Sequence, residues 1–253
     1  MDLRKFVLLT ILLVPTLGLL ACGTSRPLVA DAHASELTQL QHDANLNYRA
    51  WVLCLDRSRS PLPEQFQKLK RVSRQITRTD MQRNDLAWLI PIESGPSSAE
   101  LFPMAPVGLR RSSRVGAGPR LQESKDRLDD AISNLDQSAG RTDLKSPIEL
   151  GLNILQGHAG AQERYLLIGS DFVQDEAPGM MTLEPPSGAD GISAAGVHVI
   201  LLVTIPKNEY LNALGNISSA KLYQTVTRKW SDYFRRLGAV DTIVRLVDTI
   251  PVV

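Results

Sequence analysis

The chain is short of cysteine, histidine and aromatic side chains, and almost without excess charge of either sign. Its 253 residues hold two cysteines, four histidines and 5% Phe, Trp and Tyr, with 28 basic residues against 27 acidic ones. Two cysteines exclude a disulfide-rich scaffold. His33, His42, His158 and His198 are dispersed, without zinc-ligand spacing. Scarce aromatics argue against a stacking platform for single-stranded nucleic acid. Balanced charge removes any broad attraction to nucleic acid or anionic lipid. The cluster Lys68-Lys70-Arg71-Arg74 reads as the wet face of a helix, and Arg110-Arg111-Arg114 is a second basic group. No internal repeat or low-complexity tract is present.

Common catalytic signatures are missing as well. Gly116-Ala117-Gly118-Pro119 is not followed by Lys-Ser or Lys-Thr, so it is no phosphate loop. Gly169-Ser170-Asp171 lacks the second glycine of a nucleophile elbow. Asp56 ends an apolar run, as in phosphatases of the haloacid dehalogenase type. The residue two positions on is Ser58, however, and a hydroxyl cannot act as general acid at neutral pH. The chain therefore reads as no enzyme.

The N-terminus reads as a targeting segment. Arg4 and Lys5 precede an apolar run from Phe6 to Leu20 that is short for a membrane span. Leu19-Leu20-Ala21-Cys22 resembles the lipobox of bacterial lipoproteins, which implies cleavage before Cys22 and lipid on that cysteine; an ordinary secretory peptide is the alternative. Two acyl chains suffice for stable anchoring. The resemblance implies a lipid-anchored protein of the bacterial cell envelope. Gly23 after the cysteine favours the outer membrane in a Gram-negative organism. Loss of residues 1–21 removes Arg4, Lys5 and Asp2 and leaves basic and acidic residues in equal number. Cys54 then has no partner, and inside an apolar strand it reads as a small hydrophobe.

Residues 22–47 read as the lipidated cysteine and a tether, and 48–253 as one domain of a size that builds a single core. Apolar runs at 49–55, 86–92, 164–170 and 197–205, with a weaker one at 241–248, predict strands of a sheet covered on both faces. Between them lie helical stripes: Phe66, Leu69, Val72 and Ile76; Leu121, Leu128, Ile132 and Leu135; Ile148, Leu152 and Leu155; Leu222, Val226, Trp230, Tyr233 and Leu237. Ser60-Pro61 reads as a helix start, and Gly238 as the cap of the last helix. The pattern is α/β: a doubly wound, Rossmann-like, mostly parallel sheet. Loops 93–120 and 172–196 interrupt it; the second carries Asp175 and Glu176.

Asp56, Ser58 and Ser60 spell Asp-x-Ser-x-Ser where the first strand stops. Such alternation turns a carboxylate and two hydroxyls toward one point, and hard oxygen donors suit magnesium or manganese. The bland alternative is that the serines cap the following helix while Asp56 satisfies loop amides. On a doubly wound background the motif resembles the von Willebrand factor A (vWA) domain and its metal-ion-dependent adhesion site (MIDAS). The resemblance spans about 48 to 250 and implies a six-stranded sheet. It supplies a threonine before a later helix, here Thr142, and an aspartate closing the fourth strand, here Asp171. If 101–107 runs antiparallel, as that family implies, the chain route brings all five to one edge of the sheet. Asp143 reads as a helix-start or supporting residue.

Two carboxylates and three hydroxyls leave one position on an octahedral ion, open to water or to the acidic side chain of a protein partner. Three functions follow in order: a module binding a protein partner through Mg2+ (or Mn2+); a scaffold of an envelope assembly with a stabilising metal; and, distantly, a metal-dependent hydrolase. No nucleic-acid partner is expected. Asn216-Ile217-Ser218 fits a glycosylation acceptor by accident.

Overall fold

The structure is a computed structural model that describes residues 47–93, 97–104, 117–177, 180–187 and 191–251. The targeting segment, Cys22 and nearly all the tether lie outside the described residues, as do His33, His42, the cluster Arg110-Arg111-Arg114 and the end of the 101–107 strand.

Among the described residues six strands form one sheet. They are β1 (Arg49–Asp56), β2 (Leu86–Ile92), β3 (Glu100–Pro103), β4 (Glu163–Ser170), β7 (Val197–Val203) and β8 (Asp241–Leu246), in the order β3-β2-β1-β4-β7-β8. Every neighbouring pair is parallel except β2 and β3, where Leu86 faces Pro103 and Leu89 faces Glu100 in antiparallel register. The short antiparallel third strand is the one the vWA resemblance implies. Leu and Val side chains of β1 and β4 point alternately to two opposite faces. Both faces are covered, so these central strands are apolar almost throughout.

On one face Leu53, Leu55, Leu167 and Leu202 meet Leu69 and Val72 of α1 (Pro63–Thr79) and Leu128 and Ile132 of α2 (Ala117–Ser133). On the other, α3 (Lys145–Gly157) lies so close that a Cβ on Gly151 would meet Val52 at 2.9 Å and Leu166 at 3.2 Å. Cys54 is fully buried there, its Sγ 3.6 Å from the Pro147 carbonyl, and burial pushes its thiol pKa far up. It is the inert hydrophobe its setting in the sequence suggests. The short α4 (Asn208–Ala213) precedes α5 (Ser219–Arg236), which packs on β7 and β8 and ends at Gly238 with φ 86°.

Several boundaries differ from the sequence reading. The first helix begins at Pro63, not at Ser60-Pro61, and its N-cap Leu62 has no capping side chain. Residues 60–62 instead pair with 205–207: Leu62 N–H donates to Ile205 O, and Lys207 N–H to Ser60 O. This ladder holds the segment extended, and Pro fits the next helix start at residue 63 equally well. The loop 172–196 contains a hairpin, β5 (Gln174–Ala177) and β6 (Met180–Thr182). Strand β8 alternates exposed and half-buried residues; Asp241 and Arg245 lie on its open side with Ile243, 44% exposed, which explains the charges in that weak apolar run. Lys70 donates to the carbonyls of Ser133 and Leu135, and Arg74 and Arg78 pair with buried Asp129. The basic cluster on α1 thus ties it to α2 as well as facing water.

Gly169 is a point of close approach between sheet and helix. A Cβ there would lie 2.5 Å from Leu69 Cδ1 and 3.1 Å from Leu55 Cδ2, and both leucines are fully buried. Gly169→Ala should cost about 1–3 kcal/mol by overpacking. Gly160→Ala, where a Cβ meets nothing within 4 Å, is the control. Chemical unfolding of the two variants measures the difference; equal stability would show that the sheet and α1 separate readily at this point.

Candidate metal centre

The top edge of the sheet gathers all five candidate ligands because of how the chain is routed. Asp56 is the last residue of β1, and Asp171 follows the last residue of β4, its parallel neighbour. Strand β3 runs back down, and Met104 N–H donates to Asp85 O at the start of β2. Helix α2 then climbs and delivers the loop holding Thr142. Parallel strands open at their carboxyl ends into a crevice of this kind.

The loop after β1 is stitched to the loop before α3. Ala139 N–H donates to Arg57 O, Ser58 bridges Ala139, and the Gln137 amide donates to Ser58 O and Pro61 O. Ser58, Ser60 and Thr142 consequently line one narrow cleft with Arg59, Gly140, Arg141, Val173 and Tyr210. Its volume is about 10 Å³, roughly what one water molecule occupies. Ser58 Oγ and Ser60 Oγ are 2.7 Å apart and share a hydrogen bond. Neither serine caps α1. All five side chains are buried, with Thr142 at 5% the most exposed.

Asp56 is fully buried. Its Oδ1 accepts from Ser58 N–H at 2.7 Å and its Oδ2 from the Ser170 hydroxyl at 2.5 Å. Burial pushes its carboxyl pKa up, opposed by those hydrogen bonds. Among the described residues no Lys, Arg or His pairs with it. Asp171 Oδ1 accepts from Val173 N–H at 3.0 Å, which links it to a residue of the cleft wall. Asp143 is a helix-start residue. Its carboxylate accepts from the Lys145 and Ser146 N–H groups and the Ser146 hydroxyl at the head of α3.

Ser170 is the participant that the sequence reading missed. Its hydroxyl donates to Asp56 and accepts from Phe172 N–H at 2.9 Å, joining β1 to the loop after β4. Register was the available signal: Leu55 pairs with Gly169, so Ser170 follows opposite Asp56. Phe172 is fully buried at φ 60°, a left-handed conformation uncommon for a non-glycine residue. Its ring lies 4.9 Å from Trp230 of α5, whose indole N–H donates to Leu183 O.

Chemically, the hydroxyl-bearing residues Ser58, Ser60 and Thr142 of a one-water cleft, with the carboxylates of Asp56 and Asp171 at the same sheet edge, form a hard oxygen donor set of the kind a small divalent cation takes. Among the described residues no three His, Cys, Asp or Glu side chains gather into a metal-holding group, so an ion at this edge relies on the hydroxyls. Ser170→Ala should remove a donor from buried Asp56 and an acceptor from Phe172. We expect a loss of about 2 kcal/mol, or roughly 4–8 °C in melting temperature. An unchanged melting temperature would show that Asp56 does not depend on this hydroxyl.

No protein-family model matches the chain, and no curated protein matches it. Among solved structures 115 chains do match. One is the crystal structure of an aerotolerance-related membrane protein from Bacteroides fragilis NCTC 9343 with multiple mutations to serines. It is similar at a TM-score of 0.48 and 15% identity, over 78% of this chain and 90% of that one. Among the described residues of the present chain, no helix is long and apolar enough to cross a membrane.

Proposed function

We propose that this chain is a lipid-anchored envelope module that binds a protein partner through a divalent metal ion. Asp56, Ser58, Ser60, Thr142 and Asp171 would hold Mg2+ or Mn2+, and an acidic side chain of the partner would complete its coordination. The observation that carries this reading is the burial of Asp56 without a basic partner among the described residues, next to a cleft of one-water size lined by Ser58, Ser60 and Thr142. Leaving a charge buried and unpaired costs several kcal/mol, and a cation beside it offsets that cost. Bound metal would supply an electrophilic point for a carboxylate. This chain's own residues supply the fixed donors and a dry floor.

The scaffold reading draws on the hydrogen bonds that already close the site, Ser58 to Ser60 and Ser170 to Asp56. Under that reading a metal mainly stiffens the loops. Asp56→Ala separates the two. Partner capture lost with the fold retained supports binding, whereas unchanged capture with a large fall in melting temperature supports scaffolding. Phosphate release from a generic ester that disappeared with Asp56→Ala would revive the hydrolase reading.

A ligand bound only by the folded state stabilises it by mass action. At a hundred times Kd, magnesium should add about 2.7 kcal/mol, a rise of roughly 5–10 °C. A chelator should reverse the rise, and Asp56→Asn should abolish it. Calorimetric unfolding with and without the ion reads the effect, and no shift at millimolar magnesium would count heavily against the site.

Attachment would come from Cys22, with lipid supplying affinity that a charge-balanced domain lacks. Cys22→Ser should move the protein from the membrane fraction to the soluble one. Retention on membranes after an alkaline wash would point to another anchor.

A further inference from the structure

Two arginines stand at the mouth of the cleft without a counter-charge among the described residues. Arg59 lies between Ser58 and Ser60, and Arg141 precedes Thr142, so each is the chain neighbour of a cleft hydroxyl. The hydroxyls turn inward and are buried, while Arg59 and Arg141 are exposed and line the cleft rim. Among the described residues neither arginine makes a hydrogen bond or an ion pair. Arg57 is the contrast, bonded to Glu93, Asp136 and Ser138.

The carboxylates in these loops are already engaged. Arg57 holds Glu93 and Asp136, and the head of α3 holds Asp143. Two guanidinium groups are thus left to face whatever enters. A guanidinium presents a planar fork of donors that suits a carboxylate in two-point contact.

We propose that Arg59 and Arg141 read acidic residues on either side of the carboxylate taken by the cleft, so that the partner presents an acidic run and not a lone acid. This rests on the metal reading given above and adds the chemistry of the flanking contacts. The metal fixes one carboxylate at a point. The arginines choose among partners that all possess such a carboxylate, and they speed encounter by attraction at long range.

The test uses the full-length chain in detergent with magnesium and two synthetic peptides built around a central Asp. One carries two Glu on each side, the other two Gln. Exposed ion pairs each shift an equilibrium by a factor of about two to five. The Glu-flanked peptide should therefore bind roughly tenfold more tightly at low salt, with the advantage shrinking as salt rises. In R59Q/R141Q that ratio should fall to about one, while affinity for the Gln-flanked peptide and the melting temperature stay unchanged. A ratio near one in the unaltered protein, or a preference that survives in the double variant, overturns the proposal. Asp56→Asn and chelator form the second arm. If neither weakens binding, the metal reading fails, whereas intact metal dependence with no Glu preference removes the arginine proposal alone. No binding of either peptide at millimolar concentration overturns both.

Discussion

A carboxylate that, among the described residues, is sunk without a cationic partner at the end of a central strand is the constraint around which this fold is arranged. Asp56 has strands on both sides and helices over both faces, and no part of it reaches solvent. An isolated charge in that position is costly, and two hydrogen bonds from Ser170 and Ser58 offset only part of the cost. Position follows from topology. In a parallel sheet the residues ending adjacent strands lie side by side, so Asp56 necessarily neighbours Ser170 and Asp171. The electrostatic problem and the donors that ease it come from the same strand pair.

Three loops at this edge of the sheet are tied together by hydrogen bonds. Residues 57–61 bond to 136–139 on one side and to 205–207 on the other. Arg57 adds ion pairs to Glu93 and Asp136. The fourth segment, after Asp171, is pinned from below by Phe172 against Trp230, at the expense of a left-handed backbone. Such strain is kept where the surroundings over-determine it. The indole of Trp230 also holds Leu183, so α5 grips both ends of the stretch that contains the β5–β6 hairpin.

Much of this was legible in the residues. Near-continuous apolar runs gave the four central strands, and 3.6-residue stripes gave α1, α2, α3 and α5, because burial on both faces leaves little room for another pattern. The site was legible as a motif plus a route: Asp-x-Ser-x-Ser at one strand end, an aspartate at another, and a threonine between two helices. Contacts made by backbone atoms were not legible. The 60–62 ladder to 205–207 leaves no side-chain signature, so Pro61 looked like a helix start when the helix begins at Pro63. Ser170 was overlooked because a hydroxyl beside an aspartate has no meaning until register sets it across from Asp56. The hairpin at 174–182 is short and lies in a Pro- and Gly-rich loop, where alternation is too brief to read.

The cleft joins a buried half to an exposed half, and its lining shows the division. Among the described residues the walls are Ser58, Arg59, Ser60, Gly140, Arg141, Thr142, Val173 and Tyr210. Asp56 and Asp171 are buried and accept hydrogen bonds from Ser170, Ser58 and Val173. On the proposed reading, the buried carboxylates and the exposed arginines would together hold an anionic group of the partner. Affinity there would come from one coordinating oxygen, and selectivity from charges a few residues away. Separating the two tasks would let the buried half stay rigid while the exposed half varied with the partner.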